Sequence, residues 1–145
     1  MFDRILILCT GNICRSPMAA AVLQQRLQAN GQAVEVRCAG IDAMTGYPAE
    51  ELAQVLMRAR GLDISSHRAQ QINHNLLGWA QLILTMEPHQ REALLVTDPI
   101  LRGKVFLLGH WTGDNIPDPY QQEQAAYEEA LTLIDHAIDT WMDKL

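Results

Sequence analysis

Positive charge is in short supply in this sequence. It carries 11 lysines and arginines against 17 aspartates and glutamates, a formal net charge of −6. The basic residues are scattered and form no stripe. That argues against a general nucleic-acid binder, whose affinity comes from cations laid along the phosphate backbone. Long apolar runs are missing too. Ile5-Leu6-Ile7-Leu8 falls far short of the ~20 residues that span a bilayer, and it is too short, with no cleavage site behind it, for a signal-peptide core. No membrane insertion is expected. There are three cysteines, an odd number without disulfide-scaffold spacing, which fits a reducing cytoplasm. Repeats, linkers and low-complexity tracts are absent. What remains is 48% hydrophobic, enough for a core, and one domain over residues 1–145 is expected.

The apolar pattern alternates between strand and helix. Arg4 to Cys9 is a short apolar strand rich in branched residues. Ser16-Pro17 then opens a helix, with serine as a cap and proline in the first turn, and Gly31 stops it after Ala29. Val34 to Ala39 reads as a second strand. Pro48 opens a second helix with Leu52, Val55, Leu56 and Ala59 on one face, ended by Gly61. Ala80 to Thr85 is a third strand, Glu87 to Val96 a helix, and Lys104 to Leu108 a fourth strand. A polar loop holding Asp114 to Tyr120 leads into a last helix from Gln121, with an apolar stripe of Tyr127, Leu131, Ile134, Ile138, Trp141 and Leu145. This alternation predicts an α/β fold with a parallel sheet and ligands bound beyond the C-terminal strand ends.

The loop after strand 1 reads Cys9-Thr10-Gly11-Asn12-Ile13-Cys14-Arg15-Ser16-Pro17. It joins a strand end to a helix N-terminus, where unpaired N–H groups and a positive partial charge attract anions. Gly11 allows a positive φ and Asn12 tolerates one, so successive N–H groups can curl around one tetrahedral anion. A thiol beneath that anion sits in a positive field that favours the thiolate, a nucleophile aimed at phosphorus. Six residues on, the planar fork of Arg15 can clamp two phosphate oxygens. Ser16 can donate a hydrogen bond to the Cys9 thiolate, and Ile13 should face the leaving group. Zinc at Cys9 and Cys14 would need two further ligands, and no Cys/His pair has the spacing, so no metal is expected.

A phosphoryl transfer to Cys9 releases an alkoxide or phenoxide that needs a proton. Asp98, Asp114 and Asp118 lie in loops. Asp118-Pro119-Tyr120 follows strand 4 on the side where the phosphate loop opens, and Pro119 would stiffen it. Asp98-Pro99 shares the dipeptide but follows a helix and reads as a turn. Tyr120 is either an aromatic wall for a substrate ring or a half-buried packing residue.

Cys9 to Pro17, with Asp118-Pro119-Tyr120, resembles the signature of low-molecular-weight protein tyrosine phosphatases of the bacterial type, and the resemblance runs over essentially the whole chain. It implies a four-stranded parallel sheet flanked by helices on both faces, and hydrolysis of phosphotyrosine through a cysteinyl-phosphate without metal or organic cofactor. It makes Cys9, Arg15 and Asp118 the catalytic residues. Thr10, Gly11, Asn12, Ile13, Cys14, Ser16 and His67 become the phosphate-binding residues and their supports, with His67 bracing Asn12. Met44 and Tyr120 become substrate walls. It also implies a reversible Cys9–Cys14 disulfide and a phosphorylatable Tyr120, against plainer readings of Cys14 as a buried apolar residue and Met44 as a loop methionine. The partner it implies is a phosphotyrosine-bearing protein, with a tyrosine autokinase of polysaccharide export as one candidate.

Three departures touch the loop's supports. Met18-Ala19-Ala20 stands where many relatives have Ala-Glu, Gln70 where arginine is usual, and Cys38 where serine is common. Three rival functions compete with this one. Arsenate reduction needs resolving cysteines late in the chain, and none follows Cys38. Protein-arginine phosphatases tend to carry threonine at Ile13 and phenylalanine at Tyr120. A non-catalytic phosphotyrosine-binding module would usually have lost Cys9, Arg15 or Asp118.

Overall fold

In the computed structural model, which describes residues 2–145, the elements run β1 Arg4–Cys9, α1 Arg15–Ala29, β2 Glu35–Gly40, α2 Glu51–Arg58, α3 His74–Trp79, β3 Leu82–Thr85, α4 Pro88–Thr97, β4 Val105–Leu107 and α5 Gln124–Met142. A short 3-10 helix, Pro99–Gly103, joins α4 to β4 where a turn is expected. The four strands form one parallel sheet in the order β2-β1-β3-β4.

Alternation along β1 builds two cores. Ile5, Ile7 and Cys9 pack with α1, α2 and α5 on one face, and Leu6 and Leu8 pack with α3 and α4 on the other. Both faces are covered, which is why the strand reads as a continuous apolar run. Each large aliphatic side chain removed from water in this way contributes about 1.5–3 kcal/mol. The strand order reverses between β1 and β3, because β2 lies on one side of β1 and β3 on the other. The crevice beyond the strand ends at such a reversal is where open α/β sheets bind ligands, and the loops after β1 and β3 meet there.

Several expected boundaries move. α1 begins at Arg15, and Ser16 does not cap it, since its hydroxyl is bonded elsewhere. α2 begins at Glu51 rather than Pro48, and its buried face is turned by one residue. Ala53 and Met57 are buried, whereas Val55 and Ala59 face solvent. The α3 helix has no counterpart in the sequence reading. Its six residues are too few for a periodic signal, and it is started by Asn73, whose side chain accepts the Leu76 N–H at 2.8 Å. α5 begins at Gln124. Its stripe is buried as expected from Tyr127 to Trp141, with Ala130 and Ala137 added to it.

Candidate active site

The phosphate loop is ordered by its carbonyls. The oxygen of Cys9 accepts the Ile41 N–H, that of Thr10 the Asp42 N–H, and that of Gly11 the Met44 N–H, each at 3.0 Å. The Asn12 oxygen meets His67 Nε2 at 2.7 Å, and the Ile13 oxygen accepts the Glu50 N–H at 2.8 Å. Every carbonyl from residue 9 to 13 is therefore held outward. The N–H groups are left to converge, and that of Asn12 already points at Cys9 Sγ, 3.3 Å away. Among the described residues, the N–H groups of Gly11, Ile13 and Cys14 donate to no protein acceptor. The result is a nest for an anion with a sulfur at its base.

The left-handed residue in the loop is Asn12, at φ 61°, and not Gly11. Both ends of the Asn12 side chain are bonded. Its Nδ2 donates to Ser16 Oγ at 2.8 Å, and its Oδ1 accepts the Gln70 N–H at 2.9 Å. Surroundings that over-determine the side chain in this way hold a conformation most residues avoid. Because Ser16 Oγ accepts from Asn12, its own proton is free for Cys9 Sγ, 2.9 Å away. Gln70 works through its backbone, so the missing arginine leaves the brace intact, and its Nε2 donates to Cys38 O at 2.9 Å. Burial pushes the His67 pKa down, with the Asn12 carbonyl pulling it the other way. Cys38 Sγ lies 4.0 Å from His67 Nδ1.

Arg15 is 2% exposed, and its Nη1 donates to the Glu87 carboxylate and to Ile116 O, the latter at 2.8 Å. Its Nη2 lies 3.6 Å from Asp118 Oδ2. The other Asp118 oxygen accepts the Tyr120 N–H at 3.0 Å, a turn that fixes the carboxylate. Thus Asp118 comes over the phosphate loop, eleven residues beyond β4. Asp114 stays exposed, away from the cleft.

A cleft of about 140 Å³ opens above Cys9. Thr10, Gly11, Ile13, Cys14 and Arg15 form its floor, and Met44, Tyr120, Asp118 and Asp42 its sides. Met44 and Tyr120 are thus cleft residues. Cys14 is a buried free thiol with its Sγ 3.4 Å from the Tyr127 hydroxyl. Burial pushes its pKa up to about 12, against the pull of that contact. Among the described residues no group of three metal-ligating side chains occurs.

Three contributors have no place in the sequence reading: Glu87, Gln90 and Asp42. Glu87 and Gln90 form a capping box at the start of α4. Gln90 Oε1 accepts the N–H groups of Met86 and Glu87, and its Nε2 donates to Thr10 Oγ1 at 3.0 Å. The Glu-x-x-Gln spacing marks a helix start, but nothing in it points to Arg15, 72 positions earlier.

Residues 4–145 match the family model described as low molecular weight phosphotyrosine protein phosphatase. The chain is 46% identical, over 97% of its length and 96% of the relative's, to the low molecular weight protein-tyrosine-phosphatase Ptp of Acinetobacter johnsonii. It is 38% identical to the phosphatase Wzb of Salmonella typhimurium, covering all of this chain and 95% of that one. A solved structure of Vibrio vulnificus Wzb in complex with benzylphosphonate superposes with a TM-score of 0.93 at 39% identity, with both chains covered completely.

Proposed function

Since the chain belongs to the low molecular weight phosphotyrosine protein phosphatase family and is a protein-tyrosine-phosphatase, we propose that it hydrolyses phosphotyrosine through a cysteinyl-phosphate formed on Cys9. The single observation that carries this reading is the outward bonding of the loop carbonyls, with the Asn12 N–H on the Cys9 sulfur and the N–H groups of Gly11, Ile13 and Cys14 without a protein acceptor among the described residues.

The roles follow from the donors each group has left. Ser16 and the Asn12 N–H can both donate to the Cys9 thiolate. Arg15 spends both Nη1 protons on Glu87 and Ile116 O. Its Nε–H and Nη2–H edge is left for two phosphate oxygens, the geometry of a bidentate clamp. In the first step sulfur attacks phosphorus, the bond from phosphorus to the tyrosyl oxygen breaks, and Asp118 gives that oxygen its proton. In the second step Asp118 takes a proton from water, whose oxygen attacks phosphorus. The sulfur–phosphorus bond then breaks, returning thiolate and inorganic phosphate. The charge on the equatorial oxygens is met throughout by backbone N–H groups and Arg15.

Met44, Ile13 and Tyr120 give the cleft an apolar lining suited to an aromatic ring. The physiological substrate we infer is a phosphotyrosine-bearing protein, such as a bacterial tyrosine autokinase of polysaccharide export. The experiment is phosphate release from a phosphotyrosine peptide without added metal, with Cys9→Ser alongside. Turnover by the native chain and none by the variant is expected. A folded, reduced protein that releases nothing would overturn the reading.

A further inference from the structure

Three charged side chains line the cleft: Arg15, Asp118 and Asp42. The first two have places in the reaction, and Asp42 has none. Its backbone is nonetheless tied down as firmly as theirs. The segment from Ile41 to Met44 runs along the phosphate loop on the hydrogen bonds from Ile41, Asp42 and Met44, and Ala43 N donates to Gln71 Oε1 at 2.8 Å. Gly40 lets this segment approach closely, because a Cβ there would stand 2.5 Å from Thr10 O. The Asp42 carboxylate is exposed and takes part in no ion pair among the described residues. The rim thus carries an unpaired negative charge on a tied-down backbone, beside a cleft meant for a dianion. Arg15, the one cation in the lining, already faces Glu87.

A bare anion gains nothing from Asp42. A substrate that brings its own cation does. With the phosphoryl group on the loop and the ring between Met44, Ile13 and Tyr120, the substrate backbone must cross the rim. There a neighbouring lysine or arginine can reach Asp42. We propose that Asp42 is a specificity-determining residue that selects phosphotyrosine flanked by a basic side chain. This rests on the phosphatase reading above. An exposed rim pair contributes modestly, so the preference is about two- to fivefold in kcat/KM, and it is screened by salt.

The test uses three phosphotyrosine peptides that differ only in carrying lysine, alanine or glutamate within two residues of the phosphotyrosine. Each is assayed on the native chain, Asp42→Asn and Asp42→Lys, at low and high ionic strength. The expected order for the native chain is lysine, then alanine, then glutamate, with ratios that shrink as salt rises. Asp42→Asn should flatten the order and Asp42→Lys should invert it. Equal rates on all three peptides would overturn the proposal while leaving the phosphatase reading standing. So would a lysine preference that survives in Asp42→Asn, which would assign it to the net charge of −6 instead. No turnover of any peptide would overturn both readings.

Discussion

The guanidinium of Arg15, in the first turn of α1, meets the carboxylate of Glu87, the cap of α4, across the crevice where the sheet reverses its strand order. The pair ties the loop after β1 to the loop after β3 and sets which edge of Arg15 is left open to the cleft. Breaking a wholly buried pair costs about 3–5 kcal/mol. Glu87 is 27% exposed and glutamine keeps an acceptor, so Glu87→Gln should cost about 1–3 kcal/mol of stability. With the fork free to turn, kcat should fall about tenfold, since misalignment of a clamp is felt in the transition state. Urea denaturation and steady-state kinetics on an aryl phosphate check both parts.

Gln90 links the same cap to the phosphate loop through Thr10 and is 1% exposed. Gln90→Met keeps the volume and removes every hydrogen bond. It should leave the N–H groups of Met86 and Glu87 unmet and cost about 1–3 kcal/mol. Inorganic phosphate should bind less tightly as Thr10 loses its anchor. The competitive inhibition constant for phosphate measures this.

How much of this was legible in the sequence depended on distance along the chain. Cys9 to Pro17 is contiguous, so its strand–loop–helix context and its chemistry could be read together, and the four strands were found within one or two residues. Pairings across tens of positions carry no local signal. Nothing around Glu87 names Arg15, and Asp42 goes unmarked although Met44, two residues on, is placed at the substrate wall by the resemblance. Residue type left both Gly11 and Asn12 open to the positive φ, and only the bonds from Gln70 and to Ser16 show that Asn12 takes it. On α2 two positions of the apolar stripe misled, because Val55 faces solvent while Ala53 is buried, and small residues weigh little in a hydropathy pattern.

Burial holds the His67 pKa below the usual imidazole range, which favours the neutral ring in the folded chain. The unfolded chain takes up the proton near pH ~6.5. A depressed folded value means the contribution is full above that pH and is lost as pH falls through the folded value. The urea midpoint should therefore drop between pH 7 and pH 5. His67→Gln retains an N–H donor for Asn12 O without titrating, so its midpoint should vary less over the same range.

Burial pushes the thiols of Cys14 and Cys38 up to about 12. At pH 7 both should resist iodoacetamide, and mass spectrometry should find one label per chain, on Cys9. Disulfide closure after peroxide treatment requires Cys14 to attack oxidised Cys9 as a thiolate. Closure should therefore speed up as pH rises from 7 toward 9, which is measurable by trapping free thiols at intervals.

The loop that carries Asp118 turns on Gly109. A Cβ there would stand 1.8 Å from Asp114 O, a backbone atom that cannot swing aside. Gly109 O also accepts the Gly113 N–H at 2.8 Å, so the turn is closed from both sides. Gly109→Ala must displace the segment that delivers Ile116 O to Arg15 and Asp118 to the cleft. Overpacking of this kind costs about 1–3 kcal/mol or more, and the displaced acid should lower kcat by about 10²-fold or more. The loss should depend on the leaving group. An aryl phosphate whose phenol is strongly acidic departs without a proton and should suffer least, whereas phosphotyrosine should suffer most, as with Asp118→Asn. Gly103→Ala is the control, because nothing lies within 4 Å of a Cβ built there. A Gly109→Ala enzyme that slows equally on both substrates would show that the loop positions Arg15 and not the acid.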